Sequence, residues 1–274
     1  MYNFDSLANA YTKNTKAIPE DYTSFINKLF QINKKDNVID LGCGSGEIAL
    51  FLAKTGARVT GIDISKKMIS IAKSQDAEKK VVWRIGDVNR FKFNKNHYKL
   101  IFSYETFHLF SNTEKLLNKV AKSLNSDGYF GIGYCIYNWE EKLYKDILEI
   151  LLDNHIYIKD WFFQKPNNIN NLIYHNTHSM LSAPLIKYVS VNETWTAQEI
   201  ADFVTSTSIF LNINVDVKKI KQELLFMINK KHGNLFTGET KYYICYSKKI
   251  ITSHPLKGIT QRKDKQWTKN NLSK

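Results

Sequence analysis

Apolar runs and stretches of helical spacing alternate along the first half of the chain. Residues 37–41 hold Val38, Ile39 and Leu41, a run that suits a parallel strand covered on both faces. Three glycines at alternate positions follow: Gly42, Gly44 and Gly46. Residues 47–54 then carry Ile48, Ala49, Phe51, Leu52 and Ala53, the wide apolar face of a helix, with Gly56 as its natural stop. The alternation continues. Residues 58–62 predict a second strand that ends at Asp63, and Ser65 can cap a helix whose apolar face is Met68, Ile69, Ile71 and Ala72. Residues 81–85 and 99–103 predict two more strands. A helix over 114–124, through Leu116, Leu117, Val120 and Leu124, closes at Asp127-Gly128, and residues 129–136 predict the fifth strand. Upstream, Tyr22, Phe25, Ile26 and Leu29 predict a helix over 21–30 after a short lead-in with Ala8, Tyr11 and Lys16. Strands alternating with helices in this way predict an α/β fold with a doubly wound parallel sheet.

The rhythm breaks after the fifth strand. Residues 138–185 form an aromatic, asparagine-rich insertion with one predicted helix, 143–152. Beyond it the pattern predicts a strand (187–194), a helix opened by Thr196 with Ile200, Phe203 and Val204, a helix over 217–229 and a last strand, 241–247. Residues 1–248 therefore read as a single domain: a ligand-binding core over 20–137, an insertion over 138–185 able to cover it, and closing elements over 186–248. Residues 249–274 read as a basic, weakly ordered tail. No internal repeat is visible.

Composition refines this picture in three places. An apolar fraction of 43% supplies a core for 274 residues. The formal charge of +13 raises the question of an anionic partner, but four of the 39 cations are arginine and 35 are lysine. Lysine lacks the bidentate fork that reads guanine or clamps phosphate, and net charge speaks to solubility and association rather than fold. The three cysteines, Cys43, Cys135 and Cys245, are too far apart in sequence for a metal-ligand motif and fall in or beside strands, where cysteine behaves as a small hydrophobe. Neither a signal peptide nor an apolar run of roughly 18 residues is present, so the expectation is a cytoplasmic protein without a membrane span.

The candidate chemistry lies at the strand ends. The turn Asp40-Leu41-Gly42-Cys43-Gly44-Ser45-Gly46 is a nucleotide-type pocket with G-x-G-x-G spacing, and Glu47 stands where a dinucleotide fingerprint has its third glycine. A dehydrogenase reading is weakened by that substitution. Asp63 ends the second strand, where a carboxylate can accept ribose hydroxyl protons, and Asp87 ends the third, in reach of an adenine amino group with Val88 and Met68 as apolar walls. Each acid alone equally suits a helix N-cap. Three at successive strand ends are far more specific.

Those residues, together with Asp63-Ile64-Ser65, Met68, Ala72 and Gly86-Asp87-Val88, resemble the class I S-adenosylmethionine-dependent methyltransferases over 38–136. The flanks, Phe4-Asp5 to Tyr11 with Pro19 and Trp195-Thr196 to Ser208, resemble the small-molecule group that includes trans-aconitate and quinone-biosynthesis enzymes. The resemblance implies a Rossmann-like, seven-stranded methyltransferase sheet with the aromatic-rich insertion after its fifth strand. It implies S-adenosylmethionine as cofactor, S-adenosylhomocysteine as product and no metal. It implies that Gly42, Cys43, Gly44 and Gly46 hold the methionine end, with Asp40 on its amino group, Asp63 and Ile64 at the ribose, and Met68, Gly86, Asp87 and Val88 at the adenine. Ser103 and Tyr104 would line the path to the acceptor, and Tyr11 and Lys16 would close over the cofactor, Lys16 replacing the arginine usual in that group.

His108, with Glu105 second, is the candidate base; its alternative role is packing beside the cofactor. The acceptor, an anionic or aromatic small molecule methylated on O or N, would meet Trp139, Trp161, Phe162, Tyr174 and His178 of the insertion; these aromatics equally suit the core of a helical subdomain. Two other functions stay open. A nucleic-acid methyltransferase would account for the charge, but Ser103-Tyr104-Glu105-Thr106 replaces the Asn/Asp-Pro-Pro-aromatic motif of adenine enzymes, and no cysteine follows proline. A non-catalytic cofactor-binding partner protein would have no need of all three acids. Nothing in the sequence reports oligomeric state.

Overall fold

The computed structural model describes residues 4–137, 139–157, 180–210 and 213–250. Its strands are β1 (Asn37–Leu41), β2 (Arg58–Asp63), β3 (Val81–Ile85), β4 (Tyr98–Tyr104), β5 (Leu124–Ile136), β6 (Leu185–Thr196) and β7 (Leu235–Lys248), joined in the order β3-β2-β1-β4-β5-β7-β6. The first five run parallel, and β7 lies antiparallel to both β5 and β6. This is the doubly wound sheet that the alternation predicts, with the seven strands that the resemblance implies, closed by an antiparallel pair.

Apolar runs form these strands because both faces of the sheet are covered. Ile39, Leu41, Ile101 and Phe130 face Leu116, Leu117 and Val120 of α5 (Thr113–Ser123). Val38, Val59, Leu100 and Phe102 face the other way. They pack on Tyr22, Ile26 and Phe30 of α2 (Glu20–Phe30) and on Ile48 and Leu52 of α3 (Glu47–Ala53). Adjacent residues of one strand thus enter different cores, as a period of two requires. A third apolar cluster joins α6 (Glu141–Asp153), α7 (Ala197–Ser206) and α8 (Val217–Lys231) around Trp139 and Trp195. Helix α7 opens with a reciprocal capping box between Thr196 and Glu199. The lead-in is itself structured, as a 3₁₀ turn (Phe4–Ser6) and α1 (Ala8–Asn14).

Several boundaries differ from expectation. Helix α5 stops at Ser123 rather than at Asp127-Gly128, because Leu124 already pairs with Tyr98 and starts β5. Gly128 instead permits a close strand approach, since a Cβ there would lie 2.7 Å from the Tyr98 carbonyl oxygen. Strands β6 and β7 run longer than predicted: β6 gains Leu185, Ile186, Trp195 and Thr196, and β7 starts at Leu235 because Leu235 to Thr240 pair with Val191 to Thr196 without apolar alternation. Lys249, the first residue of the expected tail, is tied down: its N–H donates to the Gly128 carbonyl at 2.9 Å. Trp161, Phe162, Tyr174, His178 and the remainder of the tail, 251–274, lie outside the described residues. No described helix is long and apolar enough to cross a membrane.

Candidate active site

Parallel strands in register bring their carboxyl ends to one edge. Leu41 is level with Ile62, and Asp63 with Ile85, so the loops after β1, β2 and β3 emerge side by side. They border a cavity of about 1010 Å³. Asp40, Gly42, Cys43, Gly44, Asp63, Ile64, Met68, Gly86, Asp87 and Val88 all line it. Of the strand-end residues the sequence singles out, Gly46 and Ser103 stand behind the wall. Gly46, at φ 91°, caps α3 where a Cβ would lie 2.5 Å from the Trp83 ring. Ser103 is fully buried, and its hydroxyl has no hydrogen-bond partner among the described residues.

Each acid has a distinct setting. Asp40 is 1% exposed, and burial, reinforced by the charge of Asp63, raises its pKa to about 7 against one backbone N–H bond from Ala49. Its Oδ1 is buried without a partner among the described residues. Asp63 braces the turns: Oδ2 accepts from the Gly44 N–H at 2.9 Å and Oδ1 from the Ser65 N–H at 2.8 Å. Burial raises its pKa, and these backbone bonds oppose the rise. A carboxylate offers about four acceptor positions, so Asp63 keeps capacity for a ligand diol. Asp87 accepts from the Asn89 backbone N–H at 2.8 Å, an Asx-type turn that leaves its carboxylate partly open to the cavity. Ser65 caps α4 (Lys66–Gln75) through the Met68 N–H at 3.1 Å, as the sequence predicts.

The fourth strand contributes Tyr104, Glu105, Thr106 and His108. Glu105 takes the left-handed conformation, φ 52°, uncommon for a residue with a Cβ. Two bonds to β5 hold it there: its N–H donates to the Gly133 carbonyl at 2.9 Å, and its Oε1 accepts from the Cys135 N–H at 2.6 Å. The Thr106 hydroxyl, which sequence reasoning missed, lies between two acceptors, the Tyr104 carbonyl at 2.6 Å and the Gly42 carbonyl at 3.0 Å, where the β4 loop meets the glycine turn. His108, in a 3₁₀ turn (Phe107–Leu109), lines the cavity half-buried.

The roof comes from distant segments. Phe4, Leu7 and Tyr11 of the lead-in lie over the opening, and the Asp5 carboxylate fastens them by accepting from the Ser65 hydroxyl at 2.5 Å and the Lys67 N–H at 3.0 Å. Glu47, the residue in place of a third glycine, accepts from the Ile18 N–H at 3.2 Å and so pins the chain between α1 and α2. Lys16 borders the cavity too, but its ammonium binds the Thr194 carbonyl and lies 4.6 Å from the centre of the Trp195 ring. Trp139 lines the cavity and is also core, stacked on Tyr137 at 5.1 Å and edge-on to Trp195 at 5.5 Å. Tyr137, Tyr144, Phe203 and Tyr242 complete the wall, none of them singled out from the sequence as site residues. Their inward direction depends on elements far apart in the chain, which period and spacing do not report.

The charge of the cavity opposes that of the chain. Among the described residues, Asp40, Glu47, Asp63, Asp87, Glu105 and Glu141 line it with Lys16 and Lys145, in a protein of formal charge +13.

Comparison with known proteins follows this geometry. A family model described as a methyltransferase domain matches residues 32–185. The malonyl-[acyl-carrier protein] O-methyltransferase of Acetivibrio thermocellus is 34% identical over 94 residues, 34% of this chain and 33% of that protein. The ubiquinone biosynthesis O-methyltransferase of Hydrogenovibrio crunogenus is 29% identical over 105 residues, 37% of this chain and 44% of that protein. The chain thus spans between a third and a half of the length of these curated relatives. Among solved structures, the YcgJ protein of Bacillus subtilis superposes with a TM-score of 0.56 at 17% identity, covering 85% of this chain and all of that one, a likeness of fold.

Proposed function

The chain belongs to the methyltransferase-domain family as a class I S-adenosylmethionine-dependent member, and on that premise we propose that it methylates a small-molecule acceptor on O or N. One observation carries the reading: three carboxylates at successive strand ends converge with a glycine turn on one acidic cavity. The residues fit the cofactor. A Cβ at Gly44 or Gly86 would meet nothing within 4 Å, so both stretches of backbone are open for a ligand to approach. The orphaned Oδ1 of Asp40 suits the cofactor's ammonium, directly or through water, and such a partner would favour the ionised carboxylate. Asp63 would take the ribose hydroxyls, with Ile64 beside it. Asp87 would accept from the adenine amino group between Met68 and Val88. Tyr11 and Lys16 belong to the roof over this pocket.

The cofactor supplies an activated methyl group on a positively charged sulfur. The protein therefore has to align the acceptor and exclude water, and alignment alone is worth roughly 7–11 kcal/mol. Tyr104, Thr106 and the lead-in roof serve this end. His108, which lines the cavity, would accept a proton from an acceptor hydroxyl or amine. A general base of this kind contributes about 10²–10⁴-fold. The test is a screen of metabolite fractions with methyl-labelled cofactor, read by mass spectrometry. The expected result is label on a small molecule with wild type and a turnover at least about tenfold lower with His108→Ala. Label confined to RNA or protein would overturn the choice of acceptor class.

A further inference from the structure

The acceptor end of the cavity has a chemistry of its own. Glu105 lies at the tip of β4, and the tyrosines that line the cavity with it come from four elements and the segment after β5: Tyr11, Tyr104, Tyr144 and Tyr242, with Tyr137. The rings form two connected walls. On one side Tyr22 bridges Tyr104 and Tyr242, with centroids 5.5 and 5.2 Å away. On the other, Trp139 stands between Tyr137 at 5.1 Å and Tyr144 at 5.4 Å, and the Tyr144 hydroxyl donates to the Tyr137 carbonyl at 3.1 Å. All five cavity tyrosines are held well above the ordinary phenol pKa, by burial first, and each also feels the Glu105 charge. They are neutral rings around a carboxylate.

Two lysines also border the cavity, and both have acidic neighbours of their own: Lys16 lies 3.6 Å from Glu199, and Lys145 lies 2.7 Å from Glu141. The backbone of Glu105 is held in its left-handed conformation by the bonds to Gly133 and Cys135, a cost of the kind that collects at functional sites. Aromatic faces carry negative potential, and in a desolvated pocket they attract cations strongly. A carboxylate set among them adds a full charge and a hydrogen-bond acceptor.

We infer that the acceptor subsite recognises a cation, and that the methyl acceptor is an aliphatic amine held in its ammonium form between Glu105 and the tyrosine walls. The inference rests on the methyltransferase reading and narrows its substrate class. For a primary or secondary amine the chemistry balances: Glu105 orients the ammonium, which gives one proton to His108, the base proposed above; the nitrogen lone pair then forms the new N–C bond, and the C–S bond breaks with its electron pair left on sulfur. The product leaves as a methylated ammonium, and His108 returns the proton to solvent.

The test compares three probes by calorimetry, each with and without saturating S-adenosylhomocysteine: choline, its neutral isostere 3,3-dimethylbutanol, and the anion 3,3-dimethylbutyrate. Choline is expected to bind at least about tenfold more tightly than either of the others. Glu105→Gln keeps an acceptor oxygen for the Cys135 N–H and should erase most of that preference without changing S-adenosylhomocysteine affinity. Tyr144→Leu should reduce it by several-fold. Equal affinities, absence of choline binding, preference for the anion, or a preference that survives Glu105→Gln would each overturn the inference. Failure of S-adenosylhomocysteine to bind is a separate outcome and strikes the methyltransferase reading instead.

Discussion

At the scale of single residues, Asp40 is the most informative. Its raised pKa means that the empty pocket prefers the neutral acid, while a bound ammonium prefers the carboxylate. The consequence for stability has a definite sign. The folded-state pKa of about 7 lies above the unfolded value near 3.8, so the unfolded chain binds fewer protons between them. Stability from this group is complete below the unfolded value and is lost as pH rises through about 7, by up to about 4 kcal/mol. Asp40→Asn should therefore stabilise the ligand-free protein more at pH 8 than at pH 4, as read by urea midpoints. Affinity for S-adenosylmethionine should rise in wild type as pH rises through about 7 and stay flat in the variant. A flat wild-type profile would detach Asp40 from the ligand. In the sequence Asp40 is an acid one residue from the end of an apolar strand; its orphaned oxygen and its neighbour Asp63 emerge only when β1 and β2 pair.

At the scale of elements, the junction of β1 and α3 shows what period and spacing convey. The strand, the turn and the helix are all legible, because an apolar run, alternate glycines and a helical apolar face follow one another within a few residues. What the glycines do is less so. Gly42 takes φ 68°, and a Cβ there would lie 2.7 Å from the Thr106 side chain, so its smallness serves the β4 loop. Gly46 makes room for Trp83 from β3, a neighbour that no local pattern announces. Gly46→Ala meets both a positive φ and that ring, and should destabilise the protein by about 1–3 kcal/mol in chemical denaturation. Gly44→Ala, with positive φ but open space, should cost about 1 kcal/mol in stability and fall mainly on cofactor affinity. Similar losses of stability in both variants would mean that the Trp83 contact is unimportant. The displaced start of β5 has the same origin: Leu124 belongs to the helical spacing of α5, and only pairing with Tyr98 draws it into the sheet.

For the molecule as a whole, the sheet and its order of elements were readable because both faces of each central strand are buried and the helices between them are amphipathic. The acidic edge of the cavity was readable for a related reason, since strand ends carry their acids to one edge in any fold of this kind. Its tyrosine wall was not. Tyr11, Tyr137, Tyr144 and Tyr242 meet through packing of the lead-in, the segment after β5, α6 and β7, and in the sequence each is one more aromatic in a chain with 15 tyrosines. Net charge pointed the other way from the site: among the described residues, the cavity lining holds more acids than lysines. The account stands on that cavity being the cofactor pocket, and the direct test is a calorimetric titration of the intact chain with S-adenosylhomocysteine, repeated with NAD and with Asp63→Asn. It predicts one saturable site for S-adenosylhomocysteine, no heat with NAD, and at least about tenfold weaker binding in Asp63→Asn with the circular dichroism unchanged. Undiminished binding in Asp63→Asn, or none in wild type, would contradict it.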